Sequence, residues 1–122
     1  EVRPAMVAAL DHVIASGYRT ACLTNNVVST APDPSPRQIE VAAIMKKFDH
    51  VVESSKVGCR KPEPRFYEIA CELVGVSPNE CVFLDDLGVN LKPAAAMGMR
   101  TIKVGDPTIA LQELSDHLGL QF

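Results

Sequence analysis

The chain has 122 residues, the length of one modest domain, with 47% hydrophobic and 22% charged residues. That is the composition of a folding chain, not a disordered one. A formal net charge of −3 gives no support for a nucleic-acid or anionic-membrane partner, and no stretch approaches the ~18 apolar residues of a membrane span.

Residues 4–16 read as a helix, with Met6, Leu10, Val13 and Ile14 on one face and Pro4 in the first turn. Gly17 ends it. Residues 20–24, Thr-Ala-Cys-Leu-Thr, form a short apolar strand that stops at Asn25-Asn26. Residues 29–36 carry three prolines, which predicts a loop. Residues 37–48 are helical again, through Val41, Ile44, Met45 and Phe48. His50–Glu53 is a second strand, followed by a polar, glycine-bearing loop to Lys61. A helix runs from Pro62 to Leu73, its apolar face made of Phe66, Ile69, Ala70 and Leu73.

Ser77–Glu80 reads as a turn. Residues 81–84, Cys-Val-Phe-Leu, form a strand that releases into Asp85-Asp86. Gly88 is expected to break the chain before a short alanine-rich helix over 91–97. Thr101–Val104 is a fourth strand. Asp106 caps a last helix, Pro107 opens it and Gly119 closes it after Leu118. The order is αβαβαβαβα with continuous apolar strands. It predicts a parallel α/β sheet covered by helices on both faces, with polar chemistry at the strand carboxyl ends.

Cys22, Cys59, Cys71 and Cys81 form no CxxC and read as small hydrophobes in a reducing, intracellular setting. Cytoplasm, peroxisome and mitochondrion are not distinguished. His12, His50 and His117 are too scattered for a zinc site. The chain opens Glu1-Val2-Arg3-Pro4, without a starting methionine or a secretory pattern, and is expected to be a piece of something larger.

Three groups of polar residues gather at the strand ends. Asp85 and Asp86 are adjacent like charges, which a hard cation such as Mg²⁺ would compensate; the blander alternative has one capping the next turn and the other facing water. Lys61, in Gly58-Cys59-Arg60-Lys61-Pro62-Glu63-Pro64, can either reach over the strand ends toward Asp85 and Asp86 or remain a solvated loop lysine. Arg60 reads as solvated or as a rim group, since a second cation would be redundant. Thr24, Asn25 and Asn26 offer a hydroxyl and two amides to a phosphate oxygen, or simply an Asx turn. Taken together they describe a phosphate-holding site with no evident attacking group. The paired acids come last in the chain, unlike the order of a receiver domain. GxGxxG and GxSxG are absent.

On these residues the sequence resembles the haloacid dehalogenase superfamily, mainly Mg²⁺-dependent phosphatases. Leu23-Thr24-Asn25 is similar to the second family motif, Arg60-Lys61-Pro62 to the third, and Val82-Phe83-Leu84-Asp85-Asp86 to the fourth. A narrower resemblance, through Lys61-Pro62-Glu63-Pro64 and Asn90-Leu91-Lys92-Pro93, is to phosphatase domains joined to epoxide hydrolases or to acyl-CoA dehydrogenases. The resemblance implies that Thr24 and Asn25 hold a phosphoryl group of a small phosphorylated substrate and that Lys61 neutralises charge. It implies that Asp86, with Asp85, holds magnesium; Asn90 stands where many members place a further acid. The family's first motif, with its nucleophilic aspartate, and its cap have no counterpart. The missing strand would be the central one of a 3-2-1-4-5 sheet, between residues 20–24 and 81–84. The expectations are one C-terminal part of a hydrolase core over 1–122, weak magnesium binding, little activity alone, and self-association or complementation across an exposed sheet edge. The alternative is a non-catalytic module of a larger multidomain protein.

Overall fold

The computed structural model describes residues 4–25 and 35–122, with the Arg37 side chain excepted. Asn26 and most of the proline-rich segment lie outside the described residues. Among the described residues four strands and six α-helices follow in the order α1 (Pro4–Ala15), β1 (Ala21–Thr24), α2 (Pro36–Met45), β2 (His50–Glu53), α3 (Ser54–Val57), α4 (Pro64–Val74), β3 (Val82–Asp85), α5 (Gly88–Ala96), β4 (Arg100–Lys103) and α6 (Pro107–Leu118).

Helix ends follow local chemistry. Ser35 accepts from the Gln38 amide while the Gln38 side chain accepts from the Ser35 amide, so Pro36 opens α2 instead of closing the loop. The Asp106 carboxylate caps α6 at the Thr108 amide, as its Asp-Pro start implies. Gly75 ends α4 at φ +81°, a left-handed conformation that disfavours a β-carbon.

The sequence reading needs four local corrections. The stretch after β2 is not all loop: α3 makes one turn before Gly58. Pro62 does not start a helix; it follows Lys61 through a cis peptide bond, and α4 begins at Pro64. Gly88 opens α5 and does not interrupt the chain there. The buried face of α4 is Phe66, Tyr67, Ala70 and Cys71, while Leu73 stays half exposed. A wide i, i+3, i+4 stripe accommodates Tyr67 because its hydroxyl donates to the Asn90 carbonyl at 2.6 Å.

The sheet is split. β1 pairs in parallel with β2, Ala21 opposite His50, and β3 pairs in parallel with β4, Val82 opposite Arg100. Among the described residues no ladder joins β1 to β3. The strand neighbours are those expected around a missing central strand. Three apolar clusters cover the strands. Phe66 and Ala70 pack on Val52, Tyr67 and Cys71 pack with Ala94 and Met99, and Ala110 and Leu114 pack on Ile102. Val82 and Leu84 of β3 join the α6 cluster, whereas Cys81 and Phe83 join the α4–α5 cluster. That alternation puts α4 and α5 on one face and α6 on the other, with α1 against α6.

Between the halves lies a cleft of about 850 Å³, lined by β1, β3 and apolar side chains of α1, α2, α4 and α6. At about 24 cal/mol per Å³, a sealed dry void of that size would cost on the order of 20 kcal/mol. That exceeds the whole net stability of an ordinary domain, so the cleft cannot persist closed and dry.

Candidate active site

The carboxyl ends of β1 and β3 point the same way, and the polar residues gather there. Lys61 Nζ lies 2.9 Å from Asp85 Oδ2, with the two side chains 14% and 5% exposed. Lys61 Nζ also lies over the Phe83 ring, 5.9 Å from its centroid. Lys61 is held from behind by Asn25: the Asn25 Oδ1 accepts from the Lys61 amide at 2.8 Å, and its Nδ2 donates to the Lys61 carbonyl at 3.0 Å. This reciprocal pair fixes the backbone of the loop from which the ammonium projects.

Asp85 is the last residue of β3 and is buried. Its Oδ1 accepts from the Leu87 amide at 2.9 Å, and Asn90 Nδ2 donates to Oδ1 and Oδ2 at 3.3 and 3.4 Å. Burial pushes the Asp85 carboxyl up, but the Leu87 amide, the Lys61 ammonium and the Asn90 amide outweigh it and hold the group below its ordinary value. Asp85 therefore stays an anion matched to Lys61.

The expected residues do not all meet. Lys61, Asp85, Asn90 and Asn25 form one hydrogen-bonded chain. Thr24 precedes Asn25 as the half-buried last residue of β1. Asp86 is exposed. Both parts of the blander expectation for the acid pair describe the structure: Asp85 takes the turn amide of Leu87 and Asp86 is exposed. Asn25 and Asn90 spend their amides inside the protein, on Lys61 and on Asp85. They position the charged pair before they do anything else. Tyr67, which the sequence reading left out, fixes Asn90 from the other side through its carbonyl. Only the breadth of the apolar stripe on α4 could have drawn attention to it.

The described residues contain no group of three or more His, Cys, Asp or Glu placed to hold a metal ion. Magnesium accepts one or two carboxylates and completes its shell with water and phosphate. Here Asp85 is committed to Lys61, which leaves Asp86 as the available carboxylate. The donor set is incomplete for a resident magnesium ion. Arg60 is exposed, and its amide donates to Glu63 Oε2 at 2.7 Å. Cys71 and Cys81 bring their sulfurs to 3.9 Å, and all four cysteines are free.

A parallel α/β frame with a buried lysine–aspartate pair over its strand ends defines a class, the α/β proteins that handle a ligand at that edge. The family model described as haloacid dehalogenase-like hydrolase matches residues 1–98, and the chain belongs to that family. It is 42% identical over 117 residues to acyl-CoA dehydrogenase family member 10 of Mus musculus, covering 95% of this chain and 10% of that protein. It is 42% identical over 106 residues to bifunctional epoxide hydrolase 2 of Rattus norvegicus, covering 87% and 19%. Phosphatase MT3486 of Mycobacterium tuberculosis is 32% identical over 96 residues, covering 79% and 43%. Among solved structures, a HAD phosphatase from Thermococcus onnurineus superposes with a TM-score of 0.75 at 23% identity, covering 98% of this chain and 59% of that one. The chain spans between a tenth and a fifth of the length of the first two relatives.

Proposed function

We propose that this chain supplies the phosphate-holding half of a phosphate-monoester hydrolase site, and that the attacking carboxylate belongs to a segment outside residues 1–122. The observation that supports this is the Lys61–Asp85 pair, clamped by Asn25 and Asn90 at the carboxyl edge of two parallel strands. A shielded ammonium fixed there offers positive charge to a phosphoryl oxygen, and Asp85 keeps it oriented. The Thr24 hydroxyl, at the end of β1 next to Asn25, is the neutral donor this reading assigns to the phosphate. Asn25 and Asn90 act mainly by positioning. The membership of a hydrolase family and the likeness to a named phosphatase agree with this chemistry.

Magnesium, where a complete site binds it, would neutralise phosphate charge; Asp86 is the residue of this chain best placed to contribute. The incomplete donor set predicts weak magnesium binding here, and the missing attacker predicts that the chain alone turns over little or nothing. The same incompleteness favours a second reading, a non-catalytic module kept as a folded unit of a larger protein.

Turnover of p-nitrophenyl phosphate with Mg²⁺ separates the readings. The assay is run on this chain and on a version extended upstream by a strand ending in an aspartate. Activity confined to the extended version, and lost on Lys61→Ala, supports the proposal. Activity in residues 1–122 alone would overturn the external attacker. A folded but silent extended protein favours the non-catalytic module.

A further inference from the structure

Two thiols that take no part in the charged site meet inside the fold. Cys71 Sγ and Cys81 Sγ lie 3.9 Å apart, and both cysteines are free. Cys71 is buried on the inner face of α4, one turn after Tyr67, and Cys81 stands just before β3. Each backbone is anchored independently. The Cys71 carbonyl accepts from the Gly75 and Val76 amides, while the Cys81 amide donates to Pro78 and its carbonyl accepts from Arg100. Between them Gly75 turns at φ +81°, the Arg19 guanidinium donates to the Val74 carbonyl, and Ser77 with Glu80 makes a capping box. The connection therefore fixes the two positions from which the sulfurs approach. Among the described residues Cys22 and Cys59 make no such approach to another sulfur, and no third ligand joins the pair to make a metal site.

We propose that Cys71 and Cys81 are an oxidisable pair that closes to an intramolecular disulfide by exchange with a small-molecule disulfide, fastening α4 to the start of β3. The Cys81 sulfur, the less buried of the two, attacks one sulfur of the oxidant and releases the other half as a thiol. The Cys71 sulfur then displaces the remaining half from Cys81. One S–S bond breaks and one forms. Both protein sulfurs are oxidised, and their two protons leave on the two released thiols. The second step is favoured because its attacker is already beside the mixed disulfide. Contracting 3.9 Å to the ~2.05 Å of a disulfide asks each sulfur to move by about 1 Å, beside a cleft that both side chains line. Burial pushes both thiols up, so the first step is slow and the pair rests reduced. The bond fastens the face of α4 that carries Tyr67, and through Asn90 it steadies the Asp85 carboxylate. The proposal does not rest on the phosphate reading.

The test brings the chain to equilibrium with mixtures of reduced and oxidised glutathione, both folded and in concentrated urea, and then alkylates the remaining thiols. Cleavage after Glu72 and Glu80 puts the two cysteines on separate peptides, so a joined pair reports the bond by mass. In the folded chain the Cys71–Cys81 bond should predominate, with Cys22 and Cys59 recovered alkylated. Its equilibrium constant should exceed the value in urea at least tenfold. By linkage the oxidised chain should then melt at least about 3 °C higher than the reduced one. Cys22→Ser with Cys59→Ser should keep both effects, and Cys71→Ser should abolish them. Four results overturn the proposal: an equilibrium constant no greater than in urea, bonds formed mainly by Cys22 or Cys59, a mixed disulfide that persists on Cys81 without closing, or an oxidised chain that melts no higher than the reduced one.

Discussion

Removing the Lys61 ammonium should be among the most damaging single substitutions available to this chain. At 2.9 Å the attraction between Lys61 and Asp85 is about 6 kcal/mol at an effective dielectric of ~20, before desolvation is charged against it. Lys61→Met keeps the stem beside Phe83 but leaves the Asp85 carboxylate buried with only the Leu87 and Asn90 donors. Breaking a buried pair from one side costs about 3–5 kcal/mol. The chain's whole stability is roughly 6–18 kcal/mol at ~0.05–0.15 kcal/mol per residue, so the loss is large. Urea unfolding followed by circular dichroism at pH 7 should show the midpoint falling by roughly 2 M for a slope of ~1–3 kcal/mol/M. The pH dependence carries a sign. Asp85 has a folded-state pKa below its unfolded one, so its contribution is present above the unfolded pKa and is lost as pH falls through the folded value. The gap between wild type and Lys61→Met should therefore narrow below about pH 4. Lys61→Met with Asp85→Asn, which removes both charges, should recover most of the loss. A single variant costing under ~1 kcal/mol, or a double variant as unstable as the sum of the singles, would refute a buried, mutually dependent pair.

Tyr67→Phe removes the donor to the Asn90 carbonyl and should cost about 1–3 kcal/mol by thermal or urea unfolding. Burial, with a smaller push from Asp85, raises the Tyr67 hydroxyl to about 12. Its contribution is intact below pH 10 and falls by about 3 kcal/mol as pH rises toward 12; Tyr67→Phe should lose that part of the alkaline slope. Burial, with the neighbouring Cys71, likewise pushes the Cys81 thiol up to about 12. At pH 8 it should react with a disulfide reagent at least ~10-fold more slowly than a thiol of ordinary pKa, the smaller thiolate fraction outweighing its greater nucleophilicity, a slow phase that vanishes in urea; equal rates in both conditions contradict it. Asn25→Ala should cost about 1–2 kcal/mol and speed exchange of the Lys61 amide, while Asn25→Asp should keep the bond from that amide.

The strands and their order of use were legible because continuous apolar runs of four or five residues, separated by helical periodicity, leave few alternatives. Capping was legible at Asp106-Pro107 and Gly119 for the same reason: one residue type satisfies one orphaned backbone group. The errors fell where tertiary partners decide. Gly88 is a breaker in isolation, yet it opens α5 in the chain. Pro62 has the propensity to start a helix, yet Glu63 and Arg60 close a turn around it and Pro64 takes that role. Tyr67 was invisible as a buried residue until Asn90 provided the acceptor its hydroxyl needs. In the site, Lys61 and Asp85 were legible as charged residues at strand ends. Which of the two aspartates is buried was not, because both follow the same strand and only the Lys61 and Asn90 partners tell them apart. Among the described residues no helix is long and apolar enough to cross a bilayer.

The split sheet and the charged pair are connected. Asn25 and Lys61 belong with β1, β2 and α4; Asp85 and Asn90 belong with β3, β4 and α5. The Lys61–Asp85 bridge therefore ties the two half-sheets together at their carboxyl edge, where no backbone ladder does so. The Tyr67–Asn90 bond, and that from the Tyr18 hydroxyl to the Leu118 carbonyl, tie the covering helices across the same divide. The two tyrosine bonds are each worth about 1 kcal/mol or a little more, whereas a central strand would contribute two full ladders. Lys61→Met should therefore do more than lower stability. It should loosen the β3–β4 half relative to the β1–β2 half, with amide exchange quickening in Val82–Asp85 and Arg100–Lys103 before Ala21–Thr24 responds. Uniform acceleration across all four strands would mean that the halves unfold as one cooperative unit, and that the helices alone are enough to join them.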